Sequence, residues 1–229
     1  MPAKQTVPGN RISIYAAIAI ASLAADLGSK ELVFRALGLH GRSDLLIDSW
    51  VKFDLLTNLN YGALWGVGQG MAPVFAVLSI GAFIGIIYWL FFCGAANSLW
   101  TTVALALVSG GTLGNLYDRL GLHGVVPPNA TAPAQAVRDF LHFQFGTYEY
   151  PIFNIADSVL VAGAIMLMLQ SLKPVPSESV SDAAPKKPVV DTKTHSNALI
   201  CTVPAFHTRV NVNDQKNPMK STTYKHIRK

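Results

Sequence analysis

The stretch APVFAVLSIGAFIGIIYWLFFCGAA, residues 72–96, decides the fold. It runs without a charged residue over a length that exceeds the roughly 20 apolar residues a helix needs to cross a bilayer core. Three further stretches qualify around it. ISIYAAIAIASLAADLGSKELVF follows Arg11, LWTTVALALVSGGTLGNLY starts at Leu99, and FNIADSVLVAGAIMLMLQSL starts at Phe153. The expectation is four transmembrane helices. The first stretch also carries signal-peptide features: Lys4 and Arg11 in front and a small-residue end at ASLAA. Small and apolar residues continue past Asp26 to Phe34, so we expect it to be retained as the first helix.

Composition agrees. Of 229 residues, 51% are hydrophobic and only 14% charged, about half the charged share of a soluble domain. The net charge of +5 belongs to one end of the chain. Residues 173–229 hold ten of the eighteen Lys/Arg and four of the thirteen Asp/Glu, leaving eight basic against nine acidic groups in 1–172. The chain therefore divides into a membrane unit, 1–172, and a basic tail, 173–229. The tail is rich in Pro, Ser, Lys and Thr and reads as a flexible extension. It lacks the aromatic interleaving of a nucleic-acid surface, so no nucleic-acid partner is expected.

Lys4 and Arg11 before the first span, and Lys173, Lys186 and Lys187 after the last, favour cytoplasmic termini. Arg35, Arg42 and Lys52 lie on the other side and weaken that count. Two extracytoplasmic segments remain, about 35–71 and 119–152. In the first, VKFDLLTNLNYGALWGVGQG alternates and is glycine-rich, which reads as short strands with turns.

Ionisable groups are expensive at membrane depth, so each is a functional candidate. Asp26 and Lys30, four apart on the first span, share a face and can pair. A structural ion pair is the plainer account of them, support of an active site the sharper one. Asn115 and Arg119 share a face of the third span, where Gly110, Gly111 and Gly114 admit a close neighbour. Asp118 and Arg119 also fit a simple helix-end marker at the interface. Asn154 fits a helix cap and Asp157 the first turn of the fourth span. Asp139 lies in VRDFLHF, an apolar-aromatic stretch suited to the membrane surface.

Two carboxylates meeting at one face can activate water. One, ionised, takes a proton from water; the other, protonated, donates a hydrogen bond to a carbonyl. Like charges a few ångströms apart share a proton. The six histidines form no metal-ligand spacing, so no metal or other cofactor is expected. His142 reads as an interfacial residue. Cys93 and Cys201 read as unpaired thiols. A small transporter or assembly factor using its buried acids is the alternative, and it leaves Asp139 outside the spans without a purpose.

Five blocks, in order, resemble bacterial lipoprotein signal peptidase (signal peptidase II). They are D-x-x-x-K at Asp26/Lys30, N-x-G-A at Asn60–Ala63, GGTLGNLYDR at 110–119, V-x-D-F at Val137–Phe140 and FNIADS at 153–158. The resemblance covers about residues 10–172. It implies an α-helical membrane protein of four spans, with a small extracytoplasmic β-rich cradle and a periplasmic amphipathic segment. It also implies an aspartic endopeptidase of the bacterial inner membrane, acting at the periplasmic face; a monomer is our separate expectation. Its substrates would be diacylglyceryl-modified prolipoproteins, entering from membrane lipid and cut before the lipidated cysteine. The catalytic pair would be Asp139 and Asp157. The supporting residues would be Asp26, Lys30, Asn60, Gly111, Asn115, Arg119, Asn154 and Ala156. Three departures stand out: PPNATAPAQA (127–136) lengthens the connection before Asp139, Tyr61 and Leu64–Trp65 alter the cradle block, and the tail is long.

Overall fold

The computed structural model describes residues 7–62 and 68–172. The basic tail, and Ala63–Trp65 of the cradle block, lie outside the described residues. The elements run α1 (Asn10–Leu37), β1 (Ile47–Asp48), β2 (Val51–Asn60), α2 (Ala72–Ile87), α3 (Leu99–Arg119), β3 (Val137–Phe145), β4 (Tyr148–Glu149) and α4 (Ile155–Ser171). A π-helical turn, Tyr88–Phe92, prolongs α2, and a 3-10 turn, Ala95–Asn97, leads into α3.

Among the described residues, three helices are long and apolar enough to cross a membrane: Asn10–Leu37, Ala72–Phe92 and Leu99–Arg119. The fourth expected span is a shorter apolar helix of 17 residues. Helix starts are written locally. Pro73 opens α2, where its missing N–H costs nothing. The Ser98 side chain accepts from the Thr101 N–H at 3.2 Å and caps α3.

α3 is the packing centre. It buries Thr101, Thr102, Ala104, Leu105, Ala106, Ser109, Gly110, Gly111, Gly114, Asn115, Leu116 and Asp118. Without an apolar driving force between helices in lipid, close approach and polar contacts must hold them. The small residues allow that approach. A Cβ on Gly163 of α4 would lie 2.6 Å from the Ala104 carbonyl oxygen. Tyr15 of α1 donates its hydroxyl to Ser109 at 2.7 Å. α2 is opposite in character: it buries only Ala72 and Ala76 and exposes Val77, Leu78 and Ile84. Such a surface is unstable against water and natural against lipid.

The sheet is antiparallel in the order β1-β2-β3-β4. VRDFLHF is therefore a strand of this sheet, a backbone state that the sequence alone leaves open. Its side chains alternate between two faces, and its backbone pairs with β2, with Phe153 and with the Asp118 carboxylate. His142 is correspondingly buried rather than interfacial, with Nδ1 2.6 Å from Asp54 Oδ1. Asp54 also pairs with Arg42.

Register breaks once. Leu55 faces Leu141 and Asn58 faces Asp139, so β2 spends one extra residue there. Thr57 sits in this bulge and donates to the Gly38 carbonyl at 2.7 Å, tying the sheet to the end of α1. The lengthened connection to β3 is itself ordered by contacts. Ala134 N donates to the Val125 carbonyl at 2.9 Å, and Val125 N to His123 Nδ1 at 2.9 Å. Ala134 and Ala136 then join Phe34, Leu59 and Phe140 in one buried cluster.

Candidate active site

The site begins at the first turn of α4. Asn154 has extended backbone and caps the helix: its Oδ1 accepts the Asp157 N–H at 3.0 Å. Asp157 answers from its carboxylate, accepting the Asn154 N–H at 3.2 Å. This reciprocal capping box fixes Asp157 at the positive end of the helix, where a carboxylate is favoured. Asn115 of α3 donates to the other Asp157 oxygen at 2.9 Å.

The Asn154 amide has a second use. Its Nδ2 donates to Asp139 Oδ1 at 2.6 Å. Asn60 of β2 donates to Asp139 Oδ2 at 3.1 Å. Asp139 is 2% exposed, so both its oxygens are held out of water by amide donors. Burial and the nearby negative charge of Asp157 push its carboxyl up to about 7, against the two amide hydrogen bonds. A carboxyl group near neutrality beside an ionised one is the requirement for shared-proton chemistry.

Beneath the two acids lies a buried ion network. Lys30 is wholly buried and donates to Asp26 Oδ2 at 2.7 Å and to Asn115 Oδ1 at 3.0 Å. It also pairs with Asp118 at 3.0 Å. Asp26 returns to α4 by accepting the Ala156 N–H at 2.8 Å. The Asp26/Lys30 pair is thus both an ion pair and a support for Asn115 and α4. Gly111 lies where a Cβ would meet the Ala156 carbonyl oxygen at 2.5 Å, so α3 and α4 touch backbone to backbone beside Asp157.

Eight of the ten residues singled out in the sequence therefore form one hydrogen-bonded set: Asp26, Lys30, Asn60, Asn115, Asp139, Asn154, Ala156 and Asp157. Gly111 joins by contact. The Arg119 guanidinium lies 5.3 Å from the ring centre of Phe75 on α2 and within electrostatic reach of Asp157, Asp139 and Asp118.

The sequence did not single out Arg138 or Glu31, and left Asp118 as a helix-end marker. Asp118 is fully buried and accepts from Arg138 twice, from the backbone N–H at 3.0 Å and from Nε at 3.1 Å. Arg138 also reaches Glu31 of α1 at 3.1 Å. Two signals were available: an acid inside GNLYDR and an arginine beside Asp139 at a strand start. Neither says that they meet.

Comparison with known proteins agrees with this architecture. The family model for signal peptidase (SPase) II matches residues 18–173. The lipoprotein signal peptidase of Rhodopirellula baltica is 46% identical over 167 residues, covering 72% of this chain and 74% of that protein. That of Bacillus pumilus is 39% identical over 158 residues, covering 69% and 92%. A solved bacterial membrane enzyme matches with a TM-score of 0.60 and 26% identity, over 76% of this chain and 96% of its own. With apolar helices, one small antiparallel sheet and these relatives, the chain belongs to the signal peptidase II family of bacterial membrane peptidases.

Proposed function

We propose that this protein is an aspartic endopeptidase that removes signal peptides from diacylglyceryl-modified prolipoproteins, cutting before the lipidated cysteine, with Asp139 and Asp157 as its catalytic pair. The observation that carries the proposal is Asn154, which bonds a carboxylate on β3 and caps the helix bearing the other. The names of the relatives supply the substrate class.

Asp139, raised to about 7, holds the shared proton, and Asp157 is the ionised partner. Asp157 takes a proton from water as the water oxygen attacks the scissile carbonyl carbon. Asp139 gives its proton to the carbonyl oxygen, so no free oxyanion forms. On collapse, Asp157 passes its proton to the leaving nitrogen of the lipidated cysteine, and Asp139 recovers its own from the diol. Asn60 and Asn154 orient Asp139, and Asn115 orients Asp157. Asp26 and Lys30 support Asn115 and α4, Gly111 and Ala156 set the α3–α4 contact, and Arg119 assists at the substrate backbone.

In this reading α4 is the fourth span, both termini are cytoplasmic, and the sheet forms a periplasmic cradle over the site. Residues 1–172 are the protease unit, working as a monomer in the inner membrane, and 173–229 lie on the cytoplasmic side. The substrate reaches the site sideways from the lipid. The test is purified protein with a diacylglyceryl-modified prolipoprotein. Asp139→Asn and Asp157→Asn each abolish processing while still inserting; normal processing by either variant would refute the pair.

A further inference from the structure

Arg138 immediately precedes Asp139 on β3, and successive side chains of a strand point to opposite faces. Asp139 turns to Asn60 and Asn154; Arg138 turns to the tops of α1 and α3. It is 2% exposed, a rare position for a guanidinium. Its Nη2 lies 3.1 Å from Asp118 Oδ1 and its Nη1 3.1 Å from Glu31 Oε2. Its guanidinium carbon lies 5.9 Å from the ring centre of Phe34. Its peptide N–H adds the bond to Asp118 Oδ2. One residue thereby anchors the start of β3 to two helices, through side chain and backbone together.

The anchor falls at the start of β3, between the lengthened connection and the bulge. β3 is entered from the lengthened connection ending at Ala136, and its ladder with β2 is interrupted by the bulge just beyond Asp139. Asn60 and Asn154 orient the Asp139 carboxylate, and Arg138 adds a charged link from the strand to α1 and α3. Asp118 is also common to both acids. Through Arg138 it holds the strand of Asp139. Through Lys30 and then Asn115 it leads to Asp157.

We propose that Arg138 is a positioning residue for the reaction: its clamp on Asp118 and Glu31 sets the separation of Asp139 from Asp157. This rests on the assignment of those two acids as the catalytic pair. The planar guanidinium suits the task because it bridges two carboxylates in fixed directions, which a lysine ammonium does not. The clamp acts on geometry rather than on substrate contact, so its loss falls on kcat and spares KM.

The experiment measures kcat and KM on a lipid-modified prolipoprotein for Arg138→Met, Arg138→Lys, Glu31→Gln and Asp139→Asn, each checked for insertion. A displaced acid costs about 10²-fold in rate, so Arg138→Met loses roughly that in kcat with KM within about two-fold. Arg138→Lys recovers about ten-fold of the loss, and Glu31→Gln loses about three-fold. Arg35→Gln, which removes only the exposed partner of Glu31, leaves kcat unchanged. A wild-type kcat in Arg138→Met, or a loss carried by KM, overturns the proposal. If Arg138→Met does not fold, unchanged kcat in both Arg138→Lys and Glu31→Gln overturns it. An active Asp139→Asn refutes the catalytic pair itself; an inactive one beside a wild-type-like Arg138→Met refutes only the clamp.

Discussion

Asn154 donates to Asp139 at 2.6 Å while accepting the Asp157 backbone N–H at 3.0 Å. A single amide thus ties a strand carboxyl to the helix turn that bears the other acid. Asn154→Ala removes both bonds. We expect kcat to fall by about 10²–10³-fold, the usual loss of an orienting donor in a water-poor site. Loss of the cap also costs about 1 kcal/mol of stability. Steady-state kinetics and thermal unfolding in detergent check the two effects separately.

Asp139 links activity to pH. Its carboxyl stands at about 7 in the fold against an ordinary 3.8. Between those values the folded chain keeps a proton that the unfolded chain releases, so stability falls as pH rises through that window. The loss is on the order of 2–4 kcal/mol at alkaline pH. Asp139→Asn abolishes that slope and melts higher than wild type at alkaline pH. The same deprotonation disarms the proton donor, so kcat falls above about pH 7. Melting temperature and kcat followed against pH test both, and a flat profile beyond neutrality would contradict them.

Lys30 is surrounded by Asp26, Asp118 and Asn115 with no water access. Lys30→Met strands two buried acids and costs about 3–5 kcal/mol. Asp26→Asn combined with Lys30→Met is less destabilised than the sum of the single variants, because the partners share one network. Melting of the three variants provides the comparison.

Gly111 and Gly81 give an internal contrast. A Cβ at Gly111 would lie 2.5 Å from the Ala156 carbonyl oxygen and 2.8 Å from Leu160 Cγ, whereas at Gly81 nothing lies within 4 Å. Gly111→Ala pushes α4, and Asp157 with it, away from α3; we expect kcat to drop by about ten-fold or more. Gly81→Ala leaves kcat alone and gains about 0.5–1 kcal/mol of helix stability. Equal behaviour of the two variants would refute the close α3–α4 contact.

The apolar runs located α1, α2 and α3 but not their exact ends, because a long apolar helix is written in local composition. The Asn154 cap and the Asp26/Lys30 pair were legible for the same reason: three- and four-residue spacing is a property of one helix. VRDFLHF was harder. Its residues suggest a segment at the membrane surface without fixing its backbone, and only the pairing with β2 shows that it is a strand. Arg138 was passed over because its carboxylates, Asp118 and Glu31, lie 20 and 107 residues away along the chain.

By itself, then, the sequence determined the apolar helices, the polar residues set within them, and the Asn154 cap that starts α4. These follow from periodicity and transfer cost, which are local quantities. The tertiary structure alone decided that Asp139 rides on a strand, that Asn154 spans both acids, and that Asp118 carries both through Lys30 and Arg138. Those are distances between elements, set by how small residues let helices close and where a bulge turns the sheet, and no local pattern encodes them.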